Sequence, residues 1–191
     1  MLSVLVIDES RTRAGEICAG LALAGYQVAA ILADAVNLTA EVEKLQPDVI
    51  LIDSDSPSRD TLEHLATMHR DMPRPVVMFT HEDGQETIRD AVKAGVSAYV
   101  VDGLDPKRIK PIVEVARARF EESLALRREI EAMSRKLTDR KLVEQAKGIL
   151  MKARGLDEDA AYHAMRRLAM ERGQPLVKVA RDVIEMAKML L

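Results

Sequence analysis

The chain has no tryptophan, a single cysteine, and only three tyrosines and two phenylalanines in 191 residues. With so little aromatic volume its cores must be aliphatic, and the ten methionines suit the filling of irregular gaps. Cys18 alone permits neither an internal disulfide nor a thiolate metal cage, and its place between Ile17 and Leu21 reads as a small buried residue rather than a nucleophile. No apolar run approaches the ~20 residues of a membrane-spanning helix. The start, Met1 to Ile7, leads into acids rather than a cleavage site, so a cytoplasmic protein is expected. Neither a phosphate-binding glycine loop nor a nucleophile–base pair is evident, which argues against an enzyme.

At 191 residues the chain exceeds one average domain but cannot hold two large ones. A domain of about 105 residues followed by a small helical module is the natural division, each with its own core. Charge divides the same way. Residues 1–105 carry 8 basic and 18 acidic residues, residues 106–139 carry 9 and 6, and residues 140–191 carry 11 and 7. An acidic first half joined to a basic second half points to an acidic partner for the latter.

Apolar runs and helical patterns alternate through the first part. Ser3–Ile7, Gln27–Ile31, Val49–Ile52, Pro75–Phe79 and Ala98–Val101 read as strands; Arg11–Ala24, Thr39–Gln46, Thr61–His69 and Gln85–Ala94 read as helices. Continuous apolar strands between helices predict an α/β fold: a five-stranded parallel sheet covered on both faces, flavodoxin-like, in the order 2-1-3-4-5. Such sheets build their sites beyond the carboxyl ends of the strands. Asp8 and Glu9, Asp53, Thr80 and Asp102 stand at those ends. Carboxylates brought together there repel one another, and a hard cation such as Mg²⁺ would relieve the repulsion. Helix capping by acids that follow a strand is the plainer alternative.

These residues resemble those of a two-component response-regulator receiver domain. The resemblance implies that Asp8, Glu9 and Asp53 hold Mg²⁺, and that Asp53 is the phosphoacceptor. It implies too that Thr80 meets the phosphoryl group and Tyr99 is an aromatic switch. One departure stands out: where the receiver pattern has Lys-Pro after the fifth strand, this chain has Asp102-Gly103. At an effective dielectric near 20, two unit charges ~4 Å apart interact by about 4 kcal/mol, so this change of sign is large. Lys107 and Lys110 are expected to point away. A phosphorylated Asp53 would then meet no side-chain cation, and the receiver is expected to serve as a protein-binding module.

Asp105-Pro106 opens a long helix. Ile109, Val113, Ala116 and Phe120 follow a four-three-four spacing, and Leu126, Ile130, Met133 and Leu137 repeat it after a phase shift near Ser123. With mixed charges between them they form a coiled-coil seam, expected to make a homodimer through residues 120–139; a helix packed back on its own chain is the alternative. The receiver would then occupy residues 1–119 and an all-α, three-helix output domain residues 140–191. Its helices run from Arg140 to a stop at Gly155, from near Asp157 to Gly173, and from Pro175 onward.

The segment Glu144-Gln-Ala-Lys-Gly-Ile-Leu-Met151, with Ala161-Tyr162, Leu168-Ala169-Met170 and Val179-Ala180, resembles the ANTAR domain of the AmiR and NasT regulators. Arg74–Thr80, Gly95–Tyr99, Asp102-Gly103 and Met165-Arg-Arg167 resemble the NasT family of nitrate and nitrite assimilation regulators in particular. The resemblance implies transcription antitermination by binding hairpins of leader mRNA. It also implies control by a NasS-like nitrate- and nitrite-binding sensor protein.

Physically, Lys147, Lys152, Arg154, Arg166, Arg167, Lys178 and Arg181 supply cations that would attract phosphates. Gly148, a mid-helix glycine costing ~1 kcal/mol, would admit a close partner or tight packing against another helix. Tyr162 could stack on a base, although its apolar neighbours favour a place in the core. The competing reading is a DNA-binding response regulator, but no short glycine turn precedes a strongly basic recognition helix.

Overall fold

The computed structural model describes residues 1–101 and 105–189; Asp102 and Gly103, singled out above, lie outside them. Strands β1 (Ser3–Asp8), β2 (Gln27–Leu32), β3 (Val49–Asp53), β4 (Val76–Thr80) and β5 (Ala98–Val101) form one sheet in the order 2-1-3-4-5. Every pairing is parallel, as the alternating sequence pattern requires. Helices α1 (Arg11–Leu23), α2 (Leu38–Leu45), α3 (Arg59–Asp71) and α4 (Gln85–Lys93) make the connections.

The parity of the three inner strands divides the core in two. Leu5, Ile7, Ile50, Ile52, Val76 and Met78 face one side, where Leu38, Val42, Leu65, Met68 and Ala91 from α2, α3 and α4 cover them. Val4, Val6, Val49, Leu51, Val77 and Phe79 face the other, against Ile17 and Leu21 of α1. Each large apolar side chain so buried stabilises the fold by about 2 kcal/mol. Ser10 and Ser58 start α1 and α3 by accepting the N–H groups of Arg13 (3.4 Å) and Thr61 (3.1 Å).

Helix α5 (Pro106–Arg154) is continuous over 49 residues, and the Asp105 carboxylate accepts the Lys107 N–H at 3.0 Å where it begins. The chain divides into two compact units, Met1–Leu124 and Ala125–Leu191. The structure corrects the seam expected along this helix. Ile109, Val113 and Ala116 are fully buried against the second face of the sheet, so they belong to the receiver core. Phe120 meets the edge of His69, with ring centroids 6.2 Å apart. Only Leu126, Ile130, Met133 and Leu137 remain as an apolar stripe, each more than half exposed.

In the second unit the end of α5 packs with α6 (Glu158–Arg172) and α7 (Leu176–Met189) around Ala146, Met165, Ala169, Val179, Ala180, Val183 and Ile184. The first output helix is therefore not a separate element starting at Arg140 but the last part of α5. Asp157 caps α6 by accepting the Ala160 N–H at 2.7 Å, with Glu158 and Asp159 in the favourable first turn. Among the described residues no helix is long and apolar enough to cross a membrane.

Gly95 links α4 to β5 at φ +101°, and a Cβ there would run into the imidazole of His69. Gly95→Ala should therefore lower stability by about 2–4 kcal/mol, through backbone strain and the clash together. Urea unfolding at constant m-value measures this; a loss under ~0.5 kcal/mol would mean that ring and backbone yield freely.

Candidate functional site

Asp8, Asp53 and Thr80 are the last residues of β1, β3 and β4, and Asp8 and Asp53 are register partners on adjacent strands. The topology thus delivers them to one crevice. Asp8 is 3% exposed. Its Oδ1 accepts the Ser10 N–H at 2.7 Å, while Oδ2 is buried without a hydrogen-bond partner among the described residues. The turn-forming bond that the capping alternative expected therefore uses one oxygen and leaves the other facing an unmet need for a cation or donor. Glu9 is exposed, and among the described residues no three acidic, His or Cys side chains close into a metal cage.

Sequence reading missed Arg13. From the first turn of α1 its guanidinium lies 3.5 Å from Asp8, 3.7 Å from Asp53 and 2.5 Å from Asp55. The hydrogen bond to Asp55 is the main cause of its raised pKa. Burial pushes the Asp53 carboxyl upward and Arg13 pulls it back, while Asp8 and Asp55 add repulsion. The expectation that Asp53 faces no side-chain cation is thereby corrected: Arg13 is that cation. Lys107 and Lys110 are exposed. A signal for Arg13 did exist, because a basic residue in the first turn opposes the helix dipole and needs compensating acids.

Thr80 and Tyr99 meet through Glu82. The Thr80 hydroxyl, 1% exposed, donates to the Asp55 carbonyl at 3.0 Å and accepts the Glu82 N–H at 3.1 Å. The Tyr99 hydroxyl donates to the Glu82 carbonyl at 2.9 Å, and its ring packs beside the core. Any shift of Thr80 toward Asp53 would therefore be felt at Tyr99. Cys18 is only partly buried rather than enclosed, and burial pushes its thiol pKa up, which suppresses thiolate chemistry.

On the second unit the seven basic residues separate into two groups. Lys147 is 8% exposed, and its ammonium is held by Glu144 at 2.6 Å and Glu158 at 2.7 Å, so it is a clamp between α5 and α6 rather than an open cation. Lys178 pairs with Asp182 at 2.9 Å and Arg181 with Asp139 at 3.9 Å. Lys152, Arg154, Arg166 and Arg167 are exposed and have no ion pair among the described residues.

Arg154, Arg167 and His163 line a groove of 490 Å³ floored by Leu150, Met165 and Val183. Lys152 and Arg154 border a second groove of 580 Å³ with Ile149 and Met186. Tyr162 is 39% exposed, correcting its expected place in the core. A Cβ on Gly148 would touch nothing within 4 Å, so helix packing does not require that glycine.

Residues 4–114 match the response regulator receiver domain family and residues 131–184 match the ANTAR domain family. The first match spans more than half of the chain, which therefore belongs to the response-regulator receiver family. With the ANTAR domain following the receiver, it is a regulator of the AmiR/NasT type. The transcriptional regulatory protein PdtaR of Mycobacterium tuberculosis is 29% identical over 182 residues, 95% of this chain and 89% of PdtaR. The nitrate regulatory protein of Klebsiella oxytoca is 32% identical over 75 residues, 39% of this chain and 19% of that protein. Among solved structures, a CheY-like receiver domain protein of Methanospirillum hungatei superposes with a TM-score of 0.56 at 21% identity, covering 64% of this chain and 98% of that one. That likeness concerns the fold. Receiver domains hold Mg²⁺ in an acidic pocket, and the hard oxygens of Asp8 and Asp53, one of them bare, fit such an ion.

Proposed function

We propose that this chain is a cytoplasmic transcription antitermination regulator that binds hairpins in leader mRNA through residues 140–191. The observation that carries the reading is the cluster of exposed, unpaired cations Lys152, Arg154 and Arg167 around grooves of the ANTAR unit. Phosphates bind such a surface in a salt-dependent manner, and exposed Tyr162 offers a ring on which a splayed base can stack.

The apolar stripe Leu126, Ile130, Met133 and Leu137 supports a homodimer through residues 120–139, since four large side chains at heptad spacing gain by covering one another. Two output units linked in one dimer would favour RNA with paired hairpins through avidity.

Control by a NasS-like nitrate- and nitrite-binding sensor is the reading we favour for the receiver. It is supported by the likeness to a nitrate regulatory protein. Mg²⁺, when bound, would be held by Asp8 and Asp53 and would neutralise the same carboxylates that Arg13 faces. Phosphorylation of Asp53 is the second reading, favoured by Arg13 standing 3.7 Å from the acceptor.

Arg154→Glu with Arg167→Glu should weaken binding of hairpin leader RNA at least about tenfold and flatten its salt dependence. Lys147→Gln should chiefly lower the thermal stability of the output unit. Electrophoretic shifts at two salt concentrations, with duplex DNA as competitor, measure this; unchanged RNA affinity in the double arginine variant would remove the groove from consideration.

Ile130→Asp with Met133→Asp should give a monomer in light scattering, because two buried charges per chain cannot be accommodated in a seam. A dimer persisting in that variant would place the interface elsewhere.

For the receiver, wild type, Asp53→Asn, and wild type treated with a small-molecule phosphodonor should bind RNA equally, and the first two should respond equally to the sensor protein with nitrate. RNA binding switched on by the phosphodonor, or a response lost in Asp53→Asn, would establish phosphorylation as the signal.

A further inference from the structure

The contacts of Arg13 are unequal, and the inequality suggests what the residue does. At the rim, Nη1 makes a full hydrogen bond to Asp55, whose side chain is 71% exposed. Deeper in, Nη2 is 3.5 Å from Asp8 and Nε is 3.7 Å from Asp53, both beyond good hydrogen-bond range. Among the described residues Nε itself is buried without an acceptor, and the inner Oδ2 of Asp8 is buried without a donor. The guanidinium is thus held at the strand ends by charge alone and anchored by geometry only at the rim. A cation satisfied in this way neutralises the crevice but leaves its innermost polar atoms unmet.

We propose that Arg13 is the resident counter-ion of the receiver crevice, and that a divalent cation enters only by displacing its guanidinium from Asp8 and Asp53. The displaced side chain has a place to go. It is 36% exposed, and its bond to Asp55 holds it at the mouth of the crevice. The divalent ion would take the bare Asp8 oxygen that the guanidinium cannot satisfy, so the exchange is driven by better bonding of the same carboxylates. Two cations cannot share so small a site without strong repulsion, so occupancy by one excludes the other. The chain therefore holds divalent ions weakly, with an affinity set by Arg13. This inference stands on the crevice alone and does not depend on what the output unit binds.

Mn²⁺ binding to the full chain, followed by electron paramagnetic resonance of the free ion at neutral pH and about 0.15 M salt, tests it. Arg13→Gln should bind Mn²⁺ at least about tenfold more tightly than wild type. Adding Asp8→Asn to that variant should remove the gain. Arg59→Gln, which deletes an equal charge at an exposed site 89% open to solvent, should bind as wild type does. Thermal unfolding gives an independent readout: Mg²⁺ should raise the melting temperature of Arg13→Gln more than that of wild type. Equal or weaker Mn²⁺ binding by Arg13→Gln would overturn the proposal, and so would an equal gain in Arg59→Gln. Should Arg13→Gln fail to fold, Arg13→Lys decides, since an ammonium cannot span three carboxylates: a smaller gain over wild type supports the proposal and no gain overturns it.

Discussion

A strand in the middle of a parallel sheet, covered by helices on both faces, has nowhere to place a polar side chain until it ends. That constraint governs this receiver unit. Val4 to Ile7, Val49 to Ile52 and Val76 to Phe79 are all buried, and the first polar residues the strands reach are Asp8, Asp53 and Thr80. Because the strands are parallel and in register, those residues arrive together at one edge. The crevice is thus a consequence of how the core is closed.

Gathering carboxylates in that way carries an electrostatic cost, and the fold meets part of it from within. The β1–α1 turn brings Arg13 back over the strand ends, although a cation in the first turn of a helix is itself unfavourably placed. Each disfavoured charge makes the other tolerable. Removing one partner from such a cluster leaves the rest worse than before, which ties the start of α1 to the ends of β1 and β3. The loop after β4 is tied separately, through Thr80, Glu82 and Tyr99. Asp53 is thus coupled ionically to α1 through Arg13, while Thr80 links the Asp55 carbonyl to the loop after β4.

The fold was legible in the sequence because its cause is local. Apolar runs of strand length between helix-period segments leave few topologies open, and the order 2-1-3-4-5 followed. Asp8, Asp53 and Thr80 were legible because strand ends are where such folds keep their chemistry, whereas Tyr99, inside β5, came from the family resemblance. What periodicity cannot say is what covers an apolar stripe. Ile109, Val113 and Ala116 share their spacing with Leu126, Ile130 and Met133, yet the first three meet the sheet and the others meet solvent. The phase shift near Ser123 was the visible trace of that change. Tyr162 was misread for the same reason: apolar neighbours in sequence fix a helix face only approximately. Arg13 escaped because its role depends on three carboxylates that are distant along the chain or on the far side of a turn.

The output unit makes the corresponding point about charge. Formal charge counts every lysine and arginine alike, but a nucleic acid meets only those that the fold leaves unpaired. Lys147 lies within the most ANTAR-like segment and was the first candidate for an RNA contact, yet it is enclosed by Glu144 and Glu158. Its ammonium joins α5 to the first turn of α6. The joint helps to fix how α6 lies against the end of α5, and the groove lined by Arg154 of α5 and Arg167 of α6 depends on that placement. Lys147 is buried while its carboxylate partners are more than half exposed, so the joint contributes modestly to stability. It favours the arrangement of the two helices that brings both glutamates to one ammonium. Lys147 therefore acts through position: it helps to set the spacing of the exposed cations Arg154 and Arg167 and is itself enclosed.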